Sequence, residues 1–153
     1  MSEAVNGGEY RDWHVIRTVE VGAPAADVWD VIGGFFTLHH WHPDITLTEI
    51  SPTQTDTRQL RRILTFPGQP KTTEELVMMD NDDCHYRYKW HAGQWGEDVR
   101  NYHASLRVLA GDLDRSCTVQ WSCEFDYPSD AISTFYENGF RSLREMFSGS
   151  AGE

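Results

Sequence analysis

At 153 residues, 39 % of them hydrophobic and 12 % aromatic, the chain is long enough to bury one core without metal or disulfide staples. Its 24 acidic and 13 basic residues give a formal charge of −11, a surface that repels nucleic-acid phosphates and anionic membranes alike, so neither is an expected partner. Three cysteines without CxxC spacing, no leader pattern and no apolar run of about 18 residues point to the reducing cytoplasm.

Residues 1–12 and 148–153 are small, polar and Gly-containing, and read as disordered tails around one domain of residues 13–147. From Trp13 to Val21, Val15, Arg17 and Val19 alternate with His14, Ile16 and Thr18, which predicts a first strand ended by Gly22. Pro24 suits the first turn of a short helix, in which Val28, Val31, Ile32 and Phe35 recur at three-to-four spacing until Gly33 and Gly34 weaken it. A second short helical segment, Phe36 to Trp41, must stop near Pro43, because the residue before a proline is driven from the α region.

Six further strands follow: Thr46 to Ile50, Thr57 to Phe66, Thr72 to Met79, His85 to His91, Asn101 to Leu109 and Cys117 to Tyr127. Short turns such as Asp80-Asn81-Asp82-Asp83 and Ala110-Gly111-Asp112 imply antiparallel hairpins. The last strand has the clearest phase, with Val119, Trp121, Cys123, Phe125 and Tyr127 on a buried face and Thr118, Gln120, Ser122, Glu124 and Asp126 on a wet one. Pro128 closes it. Ser129 then offers an N-cap oxygen, Asp130 suits the positive end of a helix, and Gly149 lies just past the last periodic residue. The bracketed helix, about 19 residues and roughly 28 Å long, has an apolar stripe of Ile132, Phe135, Tyr136, Gly139, Phe140, Leu143 and Met146 or Phe147. The concave face of a twisted antiparallel sheet is the surface available to cover that stripe, and a cavity between the two is the natural by-product. The fold class is therefore α+β.

Side-chain phase sorts the candidate chemistry. Tyr86, Tyr88 and Trp90 alternate with Arg87 and Lys89, and Tyr102, Ala104, Leu106 and Val108 alternate with His103, Ser105 and Arg107, so the rings face inward. Tyr88, Trp90, Tyr102 and Trp121 then make either an apolar wall with a few polar handles, suited to an aromatic or polycyclic guest, or a dry core whose members pair with one another. Leu60, Leu64 and Phe66 fix an inward phase that Arg62 shares. Inside, Arg62 needs a carboxylate, Glu74 or Glu75, or a ligand oxygen; a bulge would turn it to the surface instead. His39 and His42 could meet on one helical turn, but a zinc site needs three or four ligands and no other Cys or His has ligand spacing, so no metal is expected. There is no GxSxG, no GxGxxG after a strand and no GxxxxGKS, so nucleophilic triads and nucleotide cofactors have no signal. Cys123 reads as a small buried hydrophobe, and Cys84 and Cys117 merely begin strands.

The order of elements, together with VGAPAADVWDVIGGF, WHPDI, HYRYKW, NYHASLRV and CTVQWSCEFDYP, resembles the START-like (SRPBCC) superfamily, and within it the polyketide cyclase/dehydrase group. The resemblance covers residues 13 to 147. It implies a helix-grip fold, a curved seven-stranded antiparallel sheet around a long C-terminal helix with two short helices after strand 1, enclosing a hydrophobic cavity. It also implies that the second short helix roofs that cavity, which brings Phe36, Trp41 and His42 to the ligand. The expected binding wall is then Phe36, Trp41, Tyr88, Trp90, Tyr102, Leu106, Trp121, Phe135, Tyr136 and Phe140, holding a hydrophobic, aromatic or polyketide-like molecule in a monomer or weak homodimer without a cofactor. The alternative is a cofactor-independent cyclase/dehydratase that works by confinement and acid–base catalysis. Its candidate catalytic residues are His42, which titrates near neutrality, and Arg62. Such a resemblance limits function only loosely, and a third reading, a client-binding or dimerising module, would need an exposed apolar patch.

Overall fold

The computed structural model describes residues 13–51, 60–92, 102–111, 114–125 and 130–151. In chain order they form β1 (Trp13–Val21), α1 (Ala25–Ile32), a 3₁₀ turn (Leu38–His40), β2 (Leu47–Ile50), β3 (Arg61–Thr65), β4 (Thr72–Asp80), β5 (His85–Ala92), β6 (His103–Ala110), β7 (Cys117–Phe125) and α2 (Asp130–Ala151). The seven strands make one antiparallel sheet in the order β1-β7-β6-β5-β4-β3-β2, a meander from β2 to β7 that the first strand closes. This is the helix-grip architecture. The expected start of β3 at residues 57–59, residue 101, residues 126–129 with the Ser129 cap, and residues 1–12 and 152–153 of the expected tails lie outside the described residues, while 148–151, expected as the start of the C-terminal tail, continue the helix.

Alternation puts Val119, Trp121, Cys123 and Phe125 on the covered face of β7, and α2 lays Ile132, Phe135, Tyr136, Phe140 and Leu143 against the sheet. Phe147 rather than Met146 continues the stripe, because Phe147 packs on the core while Met146 is exposed. Gly149 does not end the helix. A glycine inside a helix costs only about 1 kcal/mol, too little to force termination by itself.

Two local differences from the sequence expectation have physical causes. Flanked by Gly33-Gly34 and Pro43, the expected helical segment over Phe36 to Trp41 is a three-residue 3₁₀ turn in which the Trp41 N–H bonds the Leu38 carbonyl at 3.2 Å. On β4, register shifts between Thr73 and Glu74 and between Leu76 and Met78 break the period-two rule, which is why that strand has no readable phase in the sequence. α1 is anchored at its last turn: the Trp29 indole N–H donates to Asn81 Oδ1 at 3.0 Å, and a Cβ on Gly33 would lie 2.4 Å from Trp29 Cε2. No helix among the described residues is long and apolar enough to cross a membrane.

Candidate functional site

The covered face of the sheet meets α2 at Trp121. Its ring stacks on Tyr136 with centroids 4.3 Å apart and planes 13° apart, and lies 5.4 Å from both Trp41 and Phe135 and 6.1 Å from Phe140. Its indole N–H donates to the Tyr88 hydroxyl at 2.9 Å, and the Tyr102 and Tyr136 hydroxyls share a hydrogen bond. Leu106 stands opposite Trp121 in the β6–β7 register, fully buried. Eight of the ten expected wall residues thus form one cluster. The other two sit at its margin: Phe36 is half-buried edge-on to Phe35 at 5.2 Å, and Trp90 is half-buried opposite Glu74.

These contacts fill the space that the sequence leaves open as a cavity. Trp121 and Tyr136 are both 0 % exposed, so no water-sized void adjoins either ring. Burial pushes the Tyr88, Tyr102 and Tyr136 phenols well up, which keeps them as neutral hydroxyls and makes them handles rather than bases. Among the buried side-chain polar atoms without a hydrogen-bond partner in the described residues are the indole N–H groups of Trp41 and Trp90. An unpaired buried N–H costs roughly 1–3 kcal/mol, and that cost disappears when a guest supplies an acceptor.

The free volume stands outside this cluster. A recess of about 530 Å³ opens between the loop after the 3₁₀ turn (Pro43, Asp44), the β3–β4 turn (Phe66, Pro67, Gln69) and the first turns of α2 (Ala131, Thr134, Phe135). Phe135 is its inner wall. That ring lies 4.0 Å from His42, 5.6 Å from Phe66 and 5.4 Å from Trp121, so it separates the recess from the aromatic interior.

His42 is buried and engaged at both nitrogens. The Asp44 backbone N–H donates to Nδ1 at 3.1 Å, which fixes the tautomer, and Nε2–H donates to the Phe135 carbonyl at 2.7 Å. Burial lowers its pKa to about 4, against the Phe135 carbonyl and Asp44, which favour the charged form. His39 instead bonds Thr48 Oγ1 at 2.9 Å, so it does not converge with His42, and among the described residues no three His, Cys, Asp or Glu side chains gather as metal ligands. His42 reaches α2 because position 139 is glycine. A Cβ there would lie 2.7 Å from His42 Cδ2 and 3.1 Å from Trp41 Cζ3.

Arg62 lies inside, 0 % exposed, and Glu74 rather than Glu75 is its partner. Nε and Nη2 donate to Glu74 Oε1 at 2.9 and 2.7 Å, while Nη1 donates to the Phe35 carbonyl at 2.8 Å and to the Tyr86 hydroxyl at 3.2 Å. The guanidinium lies 4.2 Å from the centre of the Phe35 ring and 4.8 Å from that of Tyr88. Burial pushes the Glu74 carboxyl up and Arg62 opposes it. Glu75 faces the other side, where Arg61 at 2.9 Å and Lys89 at 3.5 Å hold its pKa down against partial burial. Sequence reasoning missed Phe35 and Tyr86 around Arg62 and Phe66 at the recess, although the inward phases of Phe66 with Leu64 and of Tyr86 with Tyr88 carried the signal.

Comparison with known proteins gives the lineage. A family model described as polyketide cyclase / dehydrase and lipid transport matches residues 12–148. No curated protein matches significantly. Among solved structures, protein XoxI from Bacillus cereus aligns with a TM-score of 0.77 at 25 % identity, covering 88 % of this chain and 94 % of its own. A Thermobifida fusca protein aligns at 0.74 and 28 % identity over 88 % and 92 % of the two chains. The Zhui aromatase/cyclase from Streptomyces aligns at 0.67 and 16 % identity over 92 % and 93 %, a likeness of fold.

Proposed function

The chain belongs to the polyketide cyclase/dehydrase and lipid transport family, and from that premise we propose that it binds a hydrophobic, aromatic or polyketide-like small molecule between its sheet and α2, reached past Phe135. The observation that carries this reading is the position of Phe135, a single ring between an open recess and an interior lined by Trp41, Tyr88, Tyr102, Trp121, Tyr136 and Phe140. A guest that displaces Phe135 meets apolar ring faces and the unpartnered Trp41 N–H, a combination that favours a flat molecule bearing one hydrogen-bond acceptor. Each aromatic contact that Phe135 gives up costs about 0.5–1.5 kcal/mol. A closed state favoured by about 2 kcal/mol leaves a few per cent of molecules open and weakens the apparent affinity roughly thirtyfold.

Binding is favoured over cyclisation or dehydration by the commitments of the charged groups. Catalysis requires His42, Arg62 or a carboxylate to face the guest. Both nitrogens of His42 and four of the five N–H groups of Arg62 are engaged within the protein. In this reading the two residues hold the walls. The test is titration with an environment-sensitive apolar dye, competed by flat aromatic ketones and by fatty acids, in the native protein and in Phe135→Ala. The variant is expected to bind the dye about tenfold or more tightly, because the closing ring is gone. No saturable binding in either protein refutes the reading. Turnover of a polyketide-like substrate that is lost in His42→Ala, with the fold intact, establishes the enzyme instead.

A further inference from the structure

The outer face of the sheet, opposite α2, carries a second recess of about 380 Å³. Its floor follows from the register: Ser105 on β6 faces Ser122 on β7, and the same row continues to Ile16 on β1 and Arg87 on β5. Two short hydroxyl side chains between two long ones leave a depression. The next row holds His14, Glu124 and His103, and the β4 bulge turns Val77 outward as a far wall, 51 % exposed. His85 reaches in from β5, its Nε2 2.6 Å from Ser105 Oγ.

The recess presents an unengaged cation on an acidic chain. Nearby, Lys89 is engaged by Glu75 at 3.5 Å and Arg107 by Asp83 at 2.7 Å, whereas Arg87 has no ion pair or hydrogen bond among the described residues. Arg87 and three imidazoles thus face one carboxylate, Glu124, which lies between two of those imidazoles, on a protein of formal charge −11. A guanidinium beside two hydroxyls is the donor set that holds a carboxylate or phosphate in bidentate fashion.

We propose that this recess binds a small organic oxyanion, a carboxylate or a phosphate monoester, held by Arg87 and the Ser105 and Ser122 hydroxyls with its apolar part against Ile16 and Val77. The site is separate from the interior and does not depend on what the interior binds. His85 adds a pH response. Burial, Arg107 and Arg87 hold its imidazole below its ordinary pKa against Asp83 and Asp80, and an anion alongside favours the protonated ring. Binding therefore tightens as the pH falls below the ordinary histidine pKa, against the repulsion of the Glu124 carboxylate.

The experiment is NMR titration of the full chain with phenyl phosphate, benzoate, inorganic phosphate and, as a neutral control, benzyl alcohol. Saturable shifts centred on residues 14–16, 85–87, 103–105 and 122–124 are expected for phenyl phosphate or benzoate, and whichever binds more tightly identifies the head group. Arg87→Met is expected to weaken binding about tenfold or more, the value of one charge-assisted contact. Ser122→Val, which fills the floor and leaves the charge alone, is expected to abolish it. Neither change should alter dye binding in the interior. The proposal is overturned if no anion gives saturable shifts, if benzyl alcohol binds as well as phenyl phosphate, or if folded Arg87→Met binds as the native protein does.

Discussion

Replacing Gly139 with alanine sets two effects of opposite sign against each other. In an exposed helix interior alanine stabilises by about 1 kcal/mol relative to glycine. Here the added Cβ would sit 2.7 Å from His42 Cδ2, 3.1 Å from Nε2 and 3.1 Å from Trp41 Cζ3. The His42 ring cannot simply swing aside, because Asp44 N–H and the Phe135 carbonyl hold it at 3.1 and 2.7 Å and Phe135 stacks on it at 4.0 Å. Moving it to an ordinary contact distance of about 3.6 Å takes a shift of nearly 1 Å, which breaks the bond to Phe135. Overpacking costs roughly 1–3 kcal/mol and a buried donor left unpaired a similar amount, so after the propensity gain the loss spans about 1–5 kcal/mol, with about 2–3 kcal/mol near its middle. For a domain of this length that is a fall in Tm of roughly 4–12 °C. Urea unfolding of Gly139→Ala, His42→Ala and the double variant measures it. Alanine at 139 should cost far less, or stabilise, once the imidazole is gone. A Gly139→Ala protein as stable as the native one would refute the close contact.

Acid should expose the same histidine through linkage. Its folded pKa of about 4 lies below the unfolded value of about 6.5, so the unfolded chain binds the extra proton first. The contribution is whole above about pH 6.5 and declines as the pH falls toward 4, by about 3 kcal/mol in all, so unfolding free energies of native and His42→Gln proteins should differ in slope across that window and run parallel above it. Arg62→Met or Glu74→Gln should each cost about 3–5 kcal/mol, since either leaves an uncompensated buried group. The double variant should cost less than the sum in a urea-unfolding cycle, and strict additivity would mean that the pair does not interact. Trp29→Phe removes the bond to Asn81 and should cost about 1–2 kcal/mol, read by the same method, with Asn81→Ala adding nothing on top of it.

What the sequence made legible were the elements whose pattern is local. β7 alternates without a break and α2 keeps its stripe from Ile132 to Phe147, so both faces and both partners could be read directly. β4 could not be read, since its two register shifts exist only relative to β5 and move side chains across the sheet without a trace in composition. The choice of Glu74 over Glu75 for Arg62 is set by the β3–β4 register, in which Arg62 stands opposite Glu74. Inward phase selects Tyr88, Tyr102, Leu106 and Trp121 on the strands and the helix stripe selects Phe135, Tyr136 and Phe140, whereas Phe36 and Trp90 lie at the margin of the cluster. The choice between a lined cavity and a dry core was left open by the sequence, since the contact between Trp121 and Tyr136 depends on how far α2 lies from β7. Gly139 belongs to the stripe by period, yet its role comes from the His42 loop folding onto the helix nearly a hundred residues away in the chain.

The order of strands also sets a timetable for synthesis. β1 pairs with β7, Val21 with Cys117 and Trp13 with Phe125, across separations of 117 − 21 = 96 and 125 − 13 = 112 positions. At about 5–20 residues per second, the ribosome leaves the first strand without its partner for roughly 5–20 s. During that interval Val15, Val19 and Val21 have no sheet to join, and the meander that follows must hold itself together around a helix not yet made. Completion of the sheet therefore waits until β7 has been made, and the β1–β7 pairing closes the longest loop among its strand pairings.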